Sequence, residues 1–247
     1  MPGMSGLDGV NIMIGRLMKV LIFIPAYNEQ ATIKGVVNDL MTHCPEYDYI
    51  VINDGSTDDT EKICRENGFP CISLPVNLGL DGVFQTGIRY AKYKGYDIAM
   101  PFDGDGQHNA EYIKPMIEKM LEGYDIVVGS RFLNNKKHTN LRVVGSSIIS
   151  FCFFIATGSH MSDPTSGMRM VNKKMIRALS QNLNLGPEPD TWAYLVRNKA
   201  RMAEVHVEMN DRTAGTSYFT LGKSIAFMTR MCVSILFILW FRKKVTE

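Results

Sequence analysis

The chain has 247 residues, 45% of them apolar and 21% charged, with a net charge of +2. That is enough apolar material for one sizeable core, and a charge balance too even to argue for nucleic acid as a partner. The five cysteines, Cys44, Cys64, Cys71, Cys152 and Cys232, match no zinc spacing, and their odd, scattered pattern argues against a disulfide framework and for a reducing cytosolic compartment.

Residues 1–17 are rich in Gly and Met and lack the long apolar core of a signal peptide. They are expected to be a disordered leader or cloning remnant ahead of a start at Met18. From there a short apolar run over 20–24 predicts a buried strand, and 31–41 has helical spacing. A second strand is expected over 49–52. Thr57, Asp58 and Asp59 look like a helix start, because a hydroxyl cap and early acids satisfy free N–H groups and suit the helix dipole. Strand 71–74, helix 82–93, strand 98–102, helix 111–121 and strand 125–129 follow. This alternation predicts an α/β fold, a mostly parallel Rossmann-like sheet flanked by helices through right-handed crossovers. Beyond Arg131 the pattern predicts a helix over 141–156, a strand or edge segment over 163–171, a helix over 191–198, a strand over 203–209 and a turn-rich stretch over 210–218. The most apolar stretch, 221–244, is expected to be a helix.

Ligands of open α/β sheets bind at the carboxyl ends of the strands. Three polar clusters fall there: Pro25-Ala26-Tyr27-Asn28-Glu29 after the first strand, Asn53 to Asp59 after the second, and Asp103-Gly104-Asp105-Gly106-Gln107 after the fourth. In the last, two carboxylates two residues apart can face one hard cation, and Gln107 adds a neutral oxygen; Mg²⁺ or Mn²⁺ suits such ligands. The same residues suit an ordinary acidic turn, and the spacing alone does not choose. His108 can ligate or cap. Asp54 can accept hydrogen bonds from a base or ribose, or serve as a cap. Tyr27 and Glu29 can hold a ring and a hydroxyl, or pack locally. Asn77-Leu78-Gly79 allows close approach at a helix start.

In this order, Ile-Pro-Ala-Tyr-Asn-Glu29, Val-Ile-Asn-Asp-Gly-Ser-Thr-Asp-Asp-Thr60, Asn-Leu-Gly79, Asp-Gly-Asp-Gly-Gln107 and Val-Gly-Ser-Arg-Phe132 resemble family 2 glycosyltransferases of the GT-A fold. The resemblance is strongest to the polyprenyl-phosphate enzymes related to dolichyl-phosphate mannose synthase. Asp163 to Arg169 and Arg212 to Ser217 extend it to about residue 218. It implies that Pro25, Ala26, Tyr27, Glu29, Asp54 and Gly79 bind the donor nucleotide sugar. It implies that Asp103, Asp105 and Gln107 hold the metal and diphosphate, and that Arg131, Arg169 and Arg212 bind phosphate. A planar guanidinium pairs bidentately with phosphate oxygens, which supports those arginines independently. Leu80-Asp81 departs from the family pattern, where a basic residue often follows the glycine. Gly186 to Asp190 occupies the place of an acceptor-site motif, so Glu188 and Asp190 are expected on the acceptor side.

The implied division is a nucleotide-sugar-binding part over 18–131, an acceptor part over 132–220 and a membrane-surface or packing helix over 221–247. The implied reaction is inverting transfer of a sugar to a polyprenyl phosphate in bacterial cell-surface polysaccharide synthesis, at the inner face of the membrane. A lipid-linked glycan hydroxyl is the alternative acceptor. A hydroxyl needs a general base, for which Asp163 and then Asp190 are the candidates, beside Asp105 at the metal; a lipid phosphate is already anionic at pH 7 and needs none. The apolar run 231–241 is too short to span a bilayer, but Trp240 and Arg242-Lys243-Lys244 suit an anionic membrane surface. A homo-oligomer or a membrane-protein partner is compatible with it. Phe102 to Gly106 superficially resembles the nucleophile motif of haloacid-dehalogenase-type phosphatases, but that motif opens a domain and continues with Thr or Val, whereas here it lies mid-chain before Gln107.

Overall fold

Alternate residues of the first strand enter different layers, as a buried strand requires. In the computed structural model, described over residues 18–133, 141–209 and 221–241, β1 (Val20–Ala26) sends Leu21 and Phe23 to one face and Val20, Ile22 and Ile24 to the other. The alternation of strand and helix continues through α1 (Ile33–His43), β2 (Asp48–Asn53), α2 (Thr60–Glu66), β3 (Cys71–Ser73), α3 (Gly79–Lys94), β4 (Ile98–Pro101), α4 (Ile113–Leu121) and β5 (Ile126–Ser130). Then come α5 (Leu141–Thr157), β6 (Arg169–Asn172), α6 (Lys173–Gln181), α7 (Pro189–Arg197), β7 (Met202–His206) and α8 (Leu221–Leu236), with a 3₁₀ turn over Ile238–Trp240.

The seven described strands lie in the order β3-β2-β1-β4-β6-β5-β7, and among them only β6 runs antiparallel to its neighbours. The expected α/β class and mostly parallel sheet are therefore present. Helices α1, α2 and α4 cover one face, with Val36, Cys64 and Met116 among the buried residues. Helices α3 and α5 to α8 cover the other, where Phe23, Phe84 and Trp192 form an edge-to-face chain with centroids 6.0 and 6.2 Å apart. All five cysteines are free thiols.

Three expectations change. The segment 163–171 is a strand only from Arg169, and it is central, between β4 and β5, rather than at an edge. Its first part is a loop because Glu204 takes the amides of Ser162 and Asp163, at 2.9 and 3.2 Å, that a ladder would need. Helix α6 was not expected; Asn172 caps it through the Met175 amide (3.0 Å), and Met175, Ile176 and Leu179 supply a buried face. Helix α2 starts at Thr60, since Asp58 is used to bond the Thr60 amide and hydroxyl. In the C-terminal segment, α8 closes at Leu236 before the 3₁₀ turn, and residues 242–247 of the expected stretch lie outside the described residues.

Helices α5 and α8 approach closely where Gly145 meets Met228: a Cβ at 145 would collide with the Met228 sulfur. Met231, Ile235 and Leu239 of the C-terminal segment are buried in the same core. Their outer faces are apolar and exposed. On α5, Val144, Ile148, Phe151 and Ile155 form one stripe at helical spacing, and on the C-terminal segment Val233, Phe237 and Phe241 are exposed as well. Among the described residues, no helix is long and apolar enough to cross a membrane.

Candidate active site

Strand β1 has β2 on one side and β4 on the other, so the chain reverses its winding there and opens a crevice at the carboxyl ends. The three polar clusters meet at this edge. After β1, Asn28 adopts a left-handed conformation (φ 57°), which Asn tolerates. Its side-chain oxygen accepts from the Thr57 amide at 2.9 Å, and its own amide donates to Ser56 Oγ at 3.0 Å. The Glu29 amide donates to Thr60 Oγ1 (2.9 Å), and the Gln30 amide to Asp58 (3.1 Å). Burial raises the Asp58 carboxyl, but hydrogen bonds from Thr60 and the Gln30 amide outweigh it and hold the group below the usual carboxylate range. The loops after β1 and β2 thus form one laced wall, with Tyr27 exposed on it.

Asp54 is buried, and its two oxygens accept from the amides of Leu78 (2.7 Å) and Gly79 (2.9 Å). It pins the start of α3 to the end of β2. Glu29 accepts from Thr32 Oγ1 at 2.6 Å. Gly104 passes so close over β1 that a Cβ there would lie 2.6 Å from the Pro25 carbonyl oxygen, which explains the first glycine of the acidic loop.

Within that loop the Asp103 amide donates to His108 Nδ1 at 2.9 Å, which leaves the imidazole proton on Nε2, 3.3 Å from Asp103 Oδ2. Both ring nitrogens are thereby used. His108 is buried, and both its polar contacts are to Asp103, so it is placed to orient that carboxylate. Gly167 backs this pair, since a Cβ there would stand 3.0 Å from Asp103 Oδ2 and 3.3 Å from the imidazole. Asp105 is buried and accepts from the Gln107 amide at 3.1 Å. Among the described residues no three His, Cys, Asp or Glu side chains gather to hold a cation alone. The Asp103, Asp105 and Gln107 set still fits Mg²⁺ or Mn²⁺: its donors are hard oxygens, Asp103 is 38% exposed, and such ions complete their shells with substrate phosphate oxygens.

Arg131, one residue past β5, pairs bidentately with Asp163: Nε to Oδ2 at 2.6 Å and a terminal nitrogen to Oδ1 at 2.8 Å. Thr165 Oγ1 donates to the same carboxylate at 3.1 Å. Asp163 is fully buried; burial raises its carboxyl, yet the Arg131 guanidinium holds it well below the usual range. Its geometry is that of a group that aims Arg131, and a carboxylate so held is a weak proton acceptor. Arg169 is also buried. It donates to the carbonyls of Pro164 and Pro187 and lies over the Trp192 ring, 5.1 Å from its centroid. The structure brings it beneath the site, as a strut between the two proline-bearing segments. Asp190 sits in the first turn of α7 and accepts from Ser234 Oγ at 2.5 Å. Arg212 lies outside the described residues.

A family model described as Glycosyl transferase family 2 matches residues 21–180. The chain belongs to that family. This glycosyltransferase is similar to the UDP-N-acetylglucosamine–dolichyl-phosphate N-acetylglucosaminyltransferase of Methanococcus voltae, at 34% identity over 76% of this chain and 84% of the relative. It is similar to the undecaprenyl-phosphate mannosyltransferase of Micrococcus luteus, at 27% identity over 86% and 93%. Among solved structures, the glucosyl-3-phosphoglycerate synthase of Mycobacterium tuberculosis, in complex with Mn²⁺, UDP-glucose and phosphoglyceric acid, superposes with a TM-score of 0.66 at 18% identity over 99% of this chain and 87% of that one. That likeness bears out the GT-A fold. The phosphatase alternative falls with the family membership.

The residues that reasoning from the sequence missed are those that hold others: His108 and Gly167 behind Asp103, Thr32 on Glu29, and Glu204 on the Ser162-Asp163 turn. Thr32 and Glu204 lie outside the motifs, and Gly167 lies inside one that assigns it no role. For His108 the signal is present, an imidazole directly after the acidic loop that reads equally as a ligand or a cap.

Proposed function

We propose that this glycosyltransferase moves a sugar, with inversion, from a nucleotide-sugar donor to a polyprenyl phosphate at a membrane surface. The observation that carries the reading is the convergence of the laced Tyr27–Glu29 and Asp54–Thr60 wall with the His108-oriented Asp103 loop at the β1/β4 crevice. The two curated relatives above act on lipid phosphates by name, which supports the acceptor class.

Pro25, Ala26, Tyr27 and Glu29 would line the nucleoside, with Asp54 and the Gly79 amide shaping its floor. Asp103, Asp105 and Gln107 would hold Mg²⁺ or Mn²⁺, and the Mn²⁺ complex of the solved neighbour supports that choice of ion. When bound, the cation neutralises charge that develops on the leaving diphosphate. His108 keeps the Asp103 carboxylate turned for that contact. Arg131, aimed by Asp163, offers a fixed cation to a phosphate oxygen. The engagement of Asp163 and Asp190 favours a phosphate acceptor over a hydroxyl one, because a phosphate needs no proton removed at pH 7. The exposed apolar stripe of α5 and the C-terminal segment suits the interface of a bilayer.

The test is the full chain with Mn²⁺, vesicles holding undecaprenyl phosphate, and UDP-glucose, UDP-N-acetylglucosamine, GDP-mannose or dTDP-rhamnose in turn. A glycolipid from one donor, abolished by EDTA, is expected. Transfer only to glycan hydroxyls, or no glycolipid from any donor, overturns the reading. In a flotation assay, Phe151→Glu with Phe237→Glu is expected to release the protein from vesicles; unchanged flotation removes the membrane contact.

A further inference from the structure

Helix α8 is tied to the segment in front of α7 by polar contacts as well as by its buried apolar residues. Arg230 forms an ion pair with Glu188, and Ser234 Oγ donates to Asp190 at 2.5 Å in a buried setting. Arg230 and Ser234 are four residues apart and so share one helix face, with the fully seated Met231 and Ile235 beside them. Glu188 and Asp190 flank Pro189, whose fixed φ begins α7 and limits how the two carboxylates can be arranged.

The electrostatics of this junction are one-sided. Asp81, in the first turn of α3, lies against the backbone of Gly186, where no side chain would fit. Burial raises the Asp81 carboxyl, Arg230 opposes this, and Asp190 adds to it. Burial likewise raises Glu188, with Asp81 adding and Arg230 opposing. Three carboxylates from α3 and the 186–190 segment are therefore crowded together, and a guanidinium carried by α8 offsets their repulsion. The solvent side of α8 bears exposed apolar residues such as Val233, which adjoins Arg230 and Ser234 on the helix surface, and Phe237 follows it. One helix thus has its outer face open, while Arg230 and Ser234 at the margin of its buried face bond to the segment expected on the acceptor side.

We propose that Arg230 and Ser234 are positioning residues for the acceptor step. From α8 they hold Glu188 and Asp190 in place, so the seating of the outer helix sets the geometry of the acceptor segment. This rests on the proposed transfer to a polyprenyl phosphate. It assigns the work to two residues that no motif contains, and it ties acceptor use to the outer helix.

The experiment compares wild type with Arg230→Ala, Arg230→Lys, Ser234→Ala and Ser234→Thr, using undecaprenyl phosphate in vesicles and the donor that wild type turns over. KM for undecaprenyl phosphate is expected to rise about ten-fold in both alanine variants, in line with a small misplacement at a reacting centre. The donor KM and the metal-dependent hydrolysis of donor alone stay at wild-type values, and the Lys and Thr variants recover most of the loss. Arg230→Ala combined with Glu188→Gln is expected to be no worse than Arg230→Ala alone, as coupling through one pair requires. An unchanged acceptor KM, a parallel fall in donor hydrolysis, or additive losses overturns the proposal. Hydrogen exchange gives a readout without turnover: amides of 186–191 exchange faster in the alanine variants while those of 103–107 do not. If wild type makes no glycolipid, the proposed function fails, and the exchange result alone then decides the positioning role, with unchanged protection at 186–191 counting against it.

Discussion

The ends of this glycosyltransferase proposed for the donor and for the acceptor are held by different means. At the proposed donor end, polar groups are fixed chiefly by backbone amides and neighbouring hydroxyls, Asp54 by Leu78 and Gly79, Asn28 by Thr57 and Asp58 by Thr60, with the His108 imidazole holding Asp103 from five residues on. At the proposed acceptor end, side chains from distant elements hold one another: Arg131 with Asp163, Glu188 with Arg230, and Asp190 with Ser234. Backbone donors belong to elements whose place the sheet already fixes. Side-chain pairs depend on each element having docked. The first arrangement makes a rigid receptor, and the second makes a geometry that forms only when the outer helices are seated.

If that contrast holds, donor-end variants change activity and spare the fold, while acceptor-end variants also change stability. The largest effect is expected from Asp103→Asn, with glycolipid formation and donor hydrolysis both falling about 10²- to 10³-fold and little change in the urea midpoint. Retained donor hydrolysis would break the assignment of this loop. Asp163→Asn comes next, since it takes the carboxylate from a partly exposed guanidinium: about 2 kcal/mol of stability is expected to go, read by urea unfolding. The pH dependence follows from the lowered Asp163 carboxyl. A carboxyl depressed in the folded state stabilises that state wherever the unfolded chain is ionised, above about pH 4, and the contribution is lost as pH falls through the folded value. Wild type is therefore expected to lose stability below about pH 4 more steeply than Asp163→Asn; parallel curves would show that the pair is not stabilising.

Smaller effects sharpen the contrast. His108→Gln removes the group that orients Asp103, and Mn²⁺ affinity is expected to weaken about ten-fold or somewhat more, as for other groups that orient a ligand. Titration of Mn²⁺ against the protein, by calorimetry, decides it. Gly145→Val displaces the Met228 side chain at the α5–α8 contact and is expected to cost about 1 kcal/mol with donor hydrolysis unchanged. A thermal melt equal to that of wild type would show that Met228 can shift without loss.

The same contrast explains what could be read from the sequence. The α/β alternation, strands β1 to β5 and the three strand-end clusters were legible because each is a contiguous pattern with its own period or turn chemistry. The position of β6 was not, because antiparallel insertion between β4 and β5 is decided by packing, and Glu204, which keeps 162–163 out of a strand, lies about forty residues away. Arg169 reads as a phosphate ligand from its type, yet its buried bonds to two proline carbonyls exist only after α7 has docked. Asp163 and Arg131 were each expected at the site, but nothing in spacing says that they engage each other.

One small residue links the two ends. Gly167 belongs to the loop that carries Asp163, but it presses on Asp103 and His108. The acidic loop and the acceptor loop therefore cannot be redesigned independently. A graft that replaces 163–168 to change the acceptor does best to keep a hydrogen for a side chain at 167, because anything larger makes the Asp103–His108 pair yield from behind.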